Sequence, residues 1–175
     1  MKLFQTSRLI IKTLERPDFI YFNELFTDSK ILDFIPKKDY TPKKILNRFN
    51  NNLNLDVNLL KHKEFLCGIF LKHFPEMIGL AMFLINEKGQ REIGYRFRTL
   101  YWWNGYGTET TSGIINYIFN QLNESLITAD VNVNNSISIK ILEKFMKLEK
   151  EFYNVTDSCR EIRYILTKEN WLKNN

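Results

Sequence analysis

The stretch richest in chemistry is Tyr101-Trp102-Trp103-Asn104-Gly105-Tyr106-Gly107-Thr108-Glu109. It falls between a β-type run, Arg91 to Arg98, and a helical pattern whose apolar face is Ile114, Ile115, Ile118, Phe119 and Leu122. Two glycines one residue apart let the backbone approach a ligand with no Cβ in the way. A helix start there offers unpaired N–H groups and the positive end of a dipole, which suits phosphate. On that fragment alone an ordinary tight turn explains the glycines equally well. The fragment is not a P-loop, because no Gly-Lys-Ser/Thr follows, and not a dinucleotide fingerprint, because the third glycine is missing.

The other reactive side-chain types point to little. Cys67 and Cys159 stand far apart with no CxxC spacing, which argues against a disulfide framework or a zinc site and for two idle thiols in a reducing compartment. Cys67 sits in an apolar run and reads as core. His62 and His73 stand outside every motif and read as surface histidines.

The elements that must position the glycine loop follow from periodicity. Residues 8 to 14 read as a strand, with Leu9, Ile11 and Thr13 on one side. Pro17-Asp18 opens a helix carrying Phe19, Phe22 and Phe26. Thr41-Pro42 reads as an N-cap followed by a first-turn proline, with Ile45 and Phe49 on one face. Glu64 to Leu71, Met77 to Ile85 and Arg91 to Arg98 form an antiparallel meander, the last two joined by Asn86-Glu87-Lys88-Gly89-Gln90. After the glycine loop and its helix, Ile127, Ala129, Val131 and Val133 alternate with polar residues in a half-buried strand. A helix bearing Ile137, Ile141, Leu142 and Phe145 follows, then strands near Leu148 to Tyr153 and Glu161 to Leu166. The order implies an α/β (α+β) chain, one domain over residues 1–175. Its mixed central sheet of about seven strands has helices on both faces.

Five segments in order resemble the GNAT acetyltransferase superfamily, most closely its ribosomal-protein N-acetyltransferase (RimJ/RimL) branch. Thr6-Ser7-Arg8-Leu9 is similar to the family's opening Thr-x-Arg-Leu strand. Glu92-Ile93-Gly94-Tyr95 is similar to its Glu-Ile-Gly-Tyr strand, and Trp102 to Glu109 to its Trp-Gly-x-Gly-Tyr-Ala-Thr-Glu loop. Asn135-Ser136-Ile137-Ser138 with Leu142-Glu143-Lys144 resembles its Asn-x-x-Ser-x-x-x-Leu-Glu-Lys helix, and Leu166 to Trp171 its closing segment. The Gly-Phe that the family carries after its last helix is missing from Lys144-Phe145-Met146-Lys147-Leu148, either because Met146-Lys147 replaces it or because one residue is deleted, which bears on the turn there and part of the acceptor wall.

The resemblance implies the GNAT fold with a splayed strand pair, and transfer of the acetyl group of acetyl-CoA to a primary amine by direct attack in a ternary complex. No metal is implied. Backbone amides of Trp103, Asn104, Gly105, Tyr106, Gly107 and Thr108 would wrap the CoA pyrophosphate. Main-chain groups of Tyr95, Arg96 and Phe97 would pair with the pantetheine arm, and Asn135 would touch that arm from the next crossover. The strands carrying Phe97 and Val133 would splay to admit the thioester. Glu92 is the first candidate for the base that takes the amine's proton, Asp130 the second, and Glu109 reads as structural. Leu142 stands where many members carry a tyrosine acid, so Ser138 is the candidate donor to the leaving thiolate. The alternative is a non-catalytic acyl-CoA-binding module on the same fold.

Composition bounds the rest. The 175 residues are 44% hydrophobic and include 14 Phe, 8 Tyr and 3 Trp, which favours a packed globule over a disordered chain. No apolar run approaches the roughly 20 residues that span a bilayer, and the N-terminus lacks the apolar core of a signal peptide, so a cytoplasmic location without a membrane partner is expected. The net charge of +5 is modest. Lys37-Lys38, Lys43-Lys44 and Arg48 read as a solvated face, without a nucleic-acid motif beside them. The acceptor would be a small-molecule amine or a protein N-terminus, bound by residues 28 to 60 and the last two strands. Asp28, Asp33 and Asp39 could attract its charge there. A homodimer is left open.

Overall fold

A computed structural model describes residues 1–33, 40–53, 55 and 63–173. Lys37, Lys38, Asp39 and His62 lie outside the described residues.

Among the described residues one eight-stranded sheet organises the chain, in the order β1-β2-β3-β4-β5-β6-β8-β7. Its strands are β1 (Lys2–Gln5), β2 (Leu9–Lys12), β3 (Phe65–Leu71), β4 (Met77–Ile85), β5 (Arg91–Phe97), β6 (Leu126–Asn132), β7 (Lys147–Asn154) and β8 (Cys159–Thr167). The sheet has one strand more than expected. Lys2–Gln5 is too short and unpatterned to read as a strand, and it becomes one by pairing antiparallel with β2 across the Thr6–Arg8 turn. The meander β2 to β5 is antiparallel throughout, whereas β5 and β6 run parallel, as a helical crossover requires.

Both faces of β3 and β4 are buried, so alternate residues feed two cores. Phe65, Cys67 and Ile69 pack with Ile114, Ile118 and Phe119 of α4 (Tyr106–Tyr117) and its π-helical extension Ile118–Leu122. Leu66, Phe70 and Leu80 face the other way, against Phe22 and Phe26 of α1 (Phe19–Thr27) and Ile45 and Phe49 of α3 (Pro42–Asn50). The phenylalanines expected at helical spacing form this second core, with Phe22 5.2 Å from Phe49, centroid to centroid. Thr41 caps α3, its hydroxyl accepting from the Lys44 amide, as the Thr-Pro pair indicated. A short α2 (Ser29–Leu32) follows α1, with Asp28 capping it. α6 (Lys168–Lys173) sets Trp171 on Phe119 at 5.2 Å.

The crossover helix α5 (Ser136–Leu142) ends without the missing glycine. Its C-cap, Glu143, is right-handed, and no residue from 143 to 147 has positive φ. The turn closes through amides of Phe145 and Met146 donating to the Leu142 carbonyl, and Met146 is buried. A turn with no left-handed position has no need of glycine.

Candidate active site

The site begins where two strands part. β5 and β6 pair only at Arg91 with Ile127 and Glu92 with Thr128, and beyond that point both strands continue unpaired with each other. The register of β4 and β5 decides which main-chain groups face the gap. The Arg98 amide donates to the Ile78 carbonyl, and hydrogen-bonded pairs recur at every second residue, so Arg96 turns its main chain to Leu80 of β4. Tyr95 and Phe97 turn theirs to the gap. The Phe97 carbonyl accepts from the Trp102 indole N–H at 2.8 Å, which fixes the chain leaving β5.

A cavity of about 320 Å³ opens from this gap toward the glycine loop. Its walls include Tyr95, Phe97, Trp102, Tyr106 and Ile141, with Gly105 and Gly107 at the rim. Gly105 is left-handed (φ 75°) and immediately precedes α4. A Cβ on Gly107 would lie 3.0 Å from Ile141 Cδ1 and 3.2 Å from the Tyr95 ring, so the glycine lets α4 settle on β5 and α5. Trp103 is left-handed too (φ 66°), is 82% exposed, and stands where the family motif has its first glycine.

Glu109, in the first turn of α4, fixes the loop. It accepts from the Thr6 hydroxyl (2.6 Å), the Arg8 amide (2.7 Å) and Arg8 Nε (2.7 Å). Arg8 Nη1 also donates to the Asn104 carbonyl, and its guanidinium lies over the Tyr106 ring. Two sequence segments a hundred residues apart thus form one clamp. Burial acts against the Glu109 charge, but the Thr6 and Arg8 hydrogen bonds outweigh it and hold the carboxyl below its usual range.

A second cavity, about 630 Å³, lies on the α1 side. The two cavities share Tyr95, Arg96, Asn135 and Ser138. Asn135 caps α5, its Oδ1 accepting from the Ser138 amide. The Ser138 hydroxyl makes no backbone hydrogen bond among the described residues, so it is not spent as a local cap. The Tyr95 hydroxyl lies beside Ser138 and Thr111, buried, without closing a hydrogen bond of good geometry to either.

Glu92 and Asp130, the two candidate bases, both line the second cavity but differ in state. Asp130 is engaged on both oxygens by Arg163, at 2.7 and 2.6 Å, and Arg163 also takes Glu87 bidentately. Glu92 meets no hydrogen-bond donor among the described residues. Burial, then the neighbouring Asp130 charge, push its carboxyl up to about 8, against the pull of Arg163.

Some candidates lie elsewhere. Asn104 and Thr108 flank the glycines but do not line the first cavity; Thr108 faces a separate groove with Glu109. Asp28 is used in capping α2 and in accepting from Thr99. Cys67 is buried in β3, Cys159 starts β8, and His73 sits exposed in the turn after β3, all away from both cavities. Sequence reasoning missed Arg163. A lone arginine in a strand gives no sign of the carboxylates that register will set around it.

The family described as "Acetyltransferase (GNAT) domain" matches residues 8–145, a span that runs from the Arg8 clamp to the end of α5. The chain belongs to the GNAT acetyltransferase family. It is an acetyl-CoA-dependent N-acetyltransferase of that family. This GNAT chain is 28% identical over 156 residues to the uncharacterized N-acetyltransferase p20 of Bacillus licheniformis, covering 86% of this chain and 84% of that one. It superposes on a GNAT-family acetyltransferase from Bacillus anthracis with TM-score 0.81 and 23% identity, covering 97% and 99%. It superposes on RimL, the ribosomal L7/L12 α-N-protein acetyltransferase solved with coenzyme A, with TM-score 0.77 and 12% identity, covering 97% and 99%. At those identities the superpositions establish a shared fold. The donor set in this GNAT chain suits a CoA thioester: helix-start amides behind a left-handed glycine for phosphates, an apolar trench for the arm, and free strand amides at its end.

Proposed function

We propose that this acetyltransferase moves acetyl from acetyl-CoA to a primary amine by direct attack, with Glu92 as base and Ser138 as donor to the departing thiolate. The observation that carries this is the junction of the two cavities at the β5–β6 gap, with Glu92, which meets no donor among the described residues, on one side and the Ser138 hydroxyl, beside that of Tyr95, at the junction.

Amides of the Trp103 to Thr108 loop and the α4 start hold the pyrophosphate, and main-chain groups of Tyr95 and Phe97 line the arm, with Asn135 beside it. Bound acetyl-CoA supplies an activated acyl group as its thioester. The acceptor enters the second cavity as an ammonium, since its pKa is about 8 to 10.4. Glu92 takes the proton, directly or through one water. A carboxyl held near 8 is well matched to such a group, so the transfer is nearly balanced. Asp130, locked to Arg163, is left as the charge that helps raise Glu92. The nitrogen attacks the thioester carbon, the C–S bond breaks, and the nitrogen's second proton passes through the Ser138 hydroxyl, or water it holds, to the departing sulfur. No side chain is acetylated on the way, consistent with both cysteines lying off the cavities.

The test is release of free thiol from acetyl-CoA across a panel of amines and N-terminal peptides. Turnover with at least one class is the expected outcome. Tight binding of acetyl-CoA with no turnover across the panel would overturn it in favour of the non-catalytic module.

A further inference from the structure

The second cavity has two electrical ends. At one lie Glu92, Asp130 and Glu161, with Arg163 paired to both Asp130 and Glu87. At the other lie Arg96, Arg48 and Tyr40. Arg96 and Arg48 sit over the Phe26 ring, their guanidinium carbons 4.6 and 5.5 Å from its centroid. Arg96 Nη2 donates to the Tyr40 hydroxyl at 3.2 Å, and its Nη1 is buried with no partner.

Arg96 and Arg48 are part-buried, and each of the fully buried arginines has a carboxylate. Arg91 has Glu124, Arg98 has Glu24 and Glu76, and Arg163 has Asp130 and Glu87. Arg96 and Arg48 have none among the described residues. A buried cation without a counter-ion is costly, and a second cation beside it makes it more so. Burial and the nearby Arg48 charge both act to lower the Arg96 pKa. Among the described residues no side chain supplies the missing charge, and a ligand in this cavity, where the reading above puts the acceptor, would supply it.

We propose that the acceptor amine also carries an anionic group, a carboxylate or a phosphate, which docks on Arg96 beside Arg48 while the nitrogen lies toward Glu92. The proposal rests on the N-acetyltransferase reading above and names its substrate class. A purely cationic polyamine would set like charge against the arginine end. Glu92 and Arg96 project from the same face of β5, four residues or roughly 13 Å of strand apart. The length of acceptor that reaches both ends is therefore what a graded series of ω-amino acids reads out.

The experiment compares matched pairs in the thiol-release assay with the full chain: ω-amino acids of increasing length against their amides, and phosphoethanolamine against ethanolamine, with spermidine as the cation-only probe. The acidic member of at least one pair should be preferred by ten-fold or more in kcat/KM. Whether carboxylates or phosphates win identifies the source of the anion. Arg96→Gln should raise the acceptor KM roughly ten- to hundred-fold, the worth of a charge-assisted hydrogen bond, and erase the preference while CoA affinity holds. Arg96→Lys should recover part of it, and Arg48→Gln should act in the same direction should Arg96→Gln fold poorly. Preference for the uncharged or cationic member, or a preference untouched by Arg96→Gln in folded protein, overturns the proposal. So does loss of CoA affinity with an unchanged acceptor KM, which would assign Arg96 to the cofactor. Silence of the assay toward every amine would overturn acetyl transfer instead. Calorimetry of the same amines into CoA-loaded protein then decides the anion site separately: binding lost in Arg96→Gln supports it, and no binding ends it.

Discussion

Glu92 is one carboxylate among several, and its surroundings set it apart. Asp130 and Glu87 share the hydrogen bonds of Arg163, whereas Glu92 meets no donor among the described residues, and burial and the Asp130 charge lift it to about 8 against the pull of Arg163. Glu92→Gln keeps the shape and cannot accept a proton. Turnover should fall roughly 10²–10⁴-fold with acetyl-CoA affinity nearly unchanged, and the bend in kcat/KM near pH 8 should vanish. A bend that persists at the acceptor's own pKa would assign it to the substrate. The same raised pKa has a stability consequence. The folded state holds this proton at pH values where the unfolded chain has lost it, so the contribution is full below the unfolded pKa and fades as pH rises toward 8. Denaturation of Glu92→Gln against the parent should therefore show a stability difference that shifts in the variant's favour between about pH 5 and 8. Trp103 offers a second residue-scale test. Its left-handed backbone costs about 1 kcal/mol or more in a non-glycine residue, and its exposed ring contributes little packing. Trp103→Gly should leave the fold intact and raise stability by up to about 1 kcal/mol in a denaturant titration, after glycine's own entropy cost is set against the relief.

At the scale of elements, the start of α4 matters most. Gly105 is left-handed, so Gly105→Val combines backbone strain with a branched side chain where phosphates would approach. CoA and acetyl-CoA should both bind much more weakly to the folded variant, and unchanged CoA affinity in a titration would show that the loop does another job. The clamp behind it is Glu109 with Thr6 and Arg8. Because the folded Glu109 pKa is lowered, its contribution is present above the unfolded value and is lost as pH falls through the folded one. Glu109→Gln should weaken CoA binding at neutral pH and flatten the acid side of the stability profile, read by thermal melts from neutral to acid pH.

At the scale of the molecule, Arg163 ties β8 to β6 and to the β4–β5 turn. Its side chain is 2% exposed and makes two bidentate pairs. Arg163→Met removes the cation and leaves Asp130 buried beside Glu92. Breaking such a pair from one side costs about 3–5 kcal/mol, which equilibrium denaturation will measure. Most of that belongs to Asp130, since Glu87 is largely solvated. The loss of the arginine charge should also move the Glu92 bend to higher pH.

Local pattern was enough to read the meander, the helices and the glycine loop, because each is written in adjacent residues: alternation in Ile127 to Val133, Phe19, Phe22 and Phe26 at helical spacing, Thr41-Pro42 at a cap. The strand Lys2–Gln5 was not legible, since four unpatterned residues become a strand only through a partner. The resemblance put Glu92 before Asp130, but nothing in the sequence gave a physical reason for that order. Their difference arises when β6 and β8 register places Asp130 opposite Arg163, and no local feature of Glu92 encodes that. The same holds for Arg96. As one of 25 basic residues it has no special mark, and it becomes a part-buried cation with no carboxylate partner among the described residues only because the pleat of β5 turns it onto Phe26 and Tyr40. Sequence by itself determined most of the strands and helices, because their patterns lie in adjacent residues. Tertiary structure alone decided which charges are neutralised, since electrostatic energy depends on distance and burial across elements rather than on spacing along the chain.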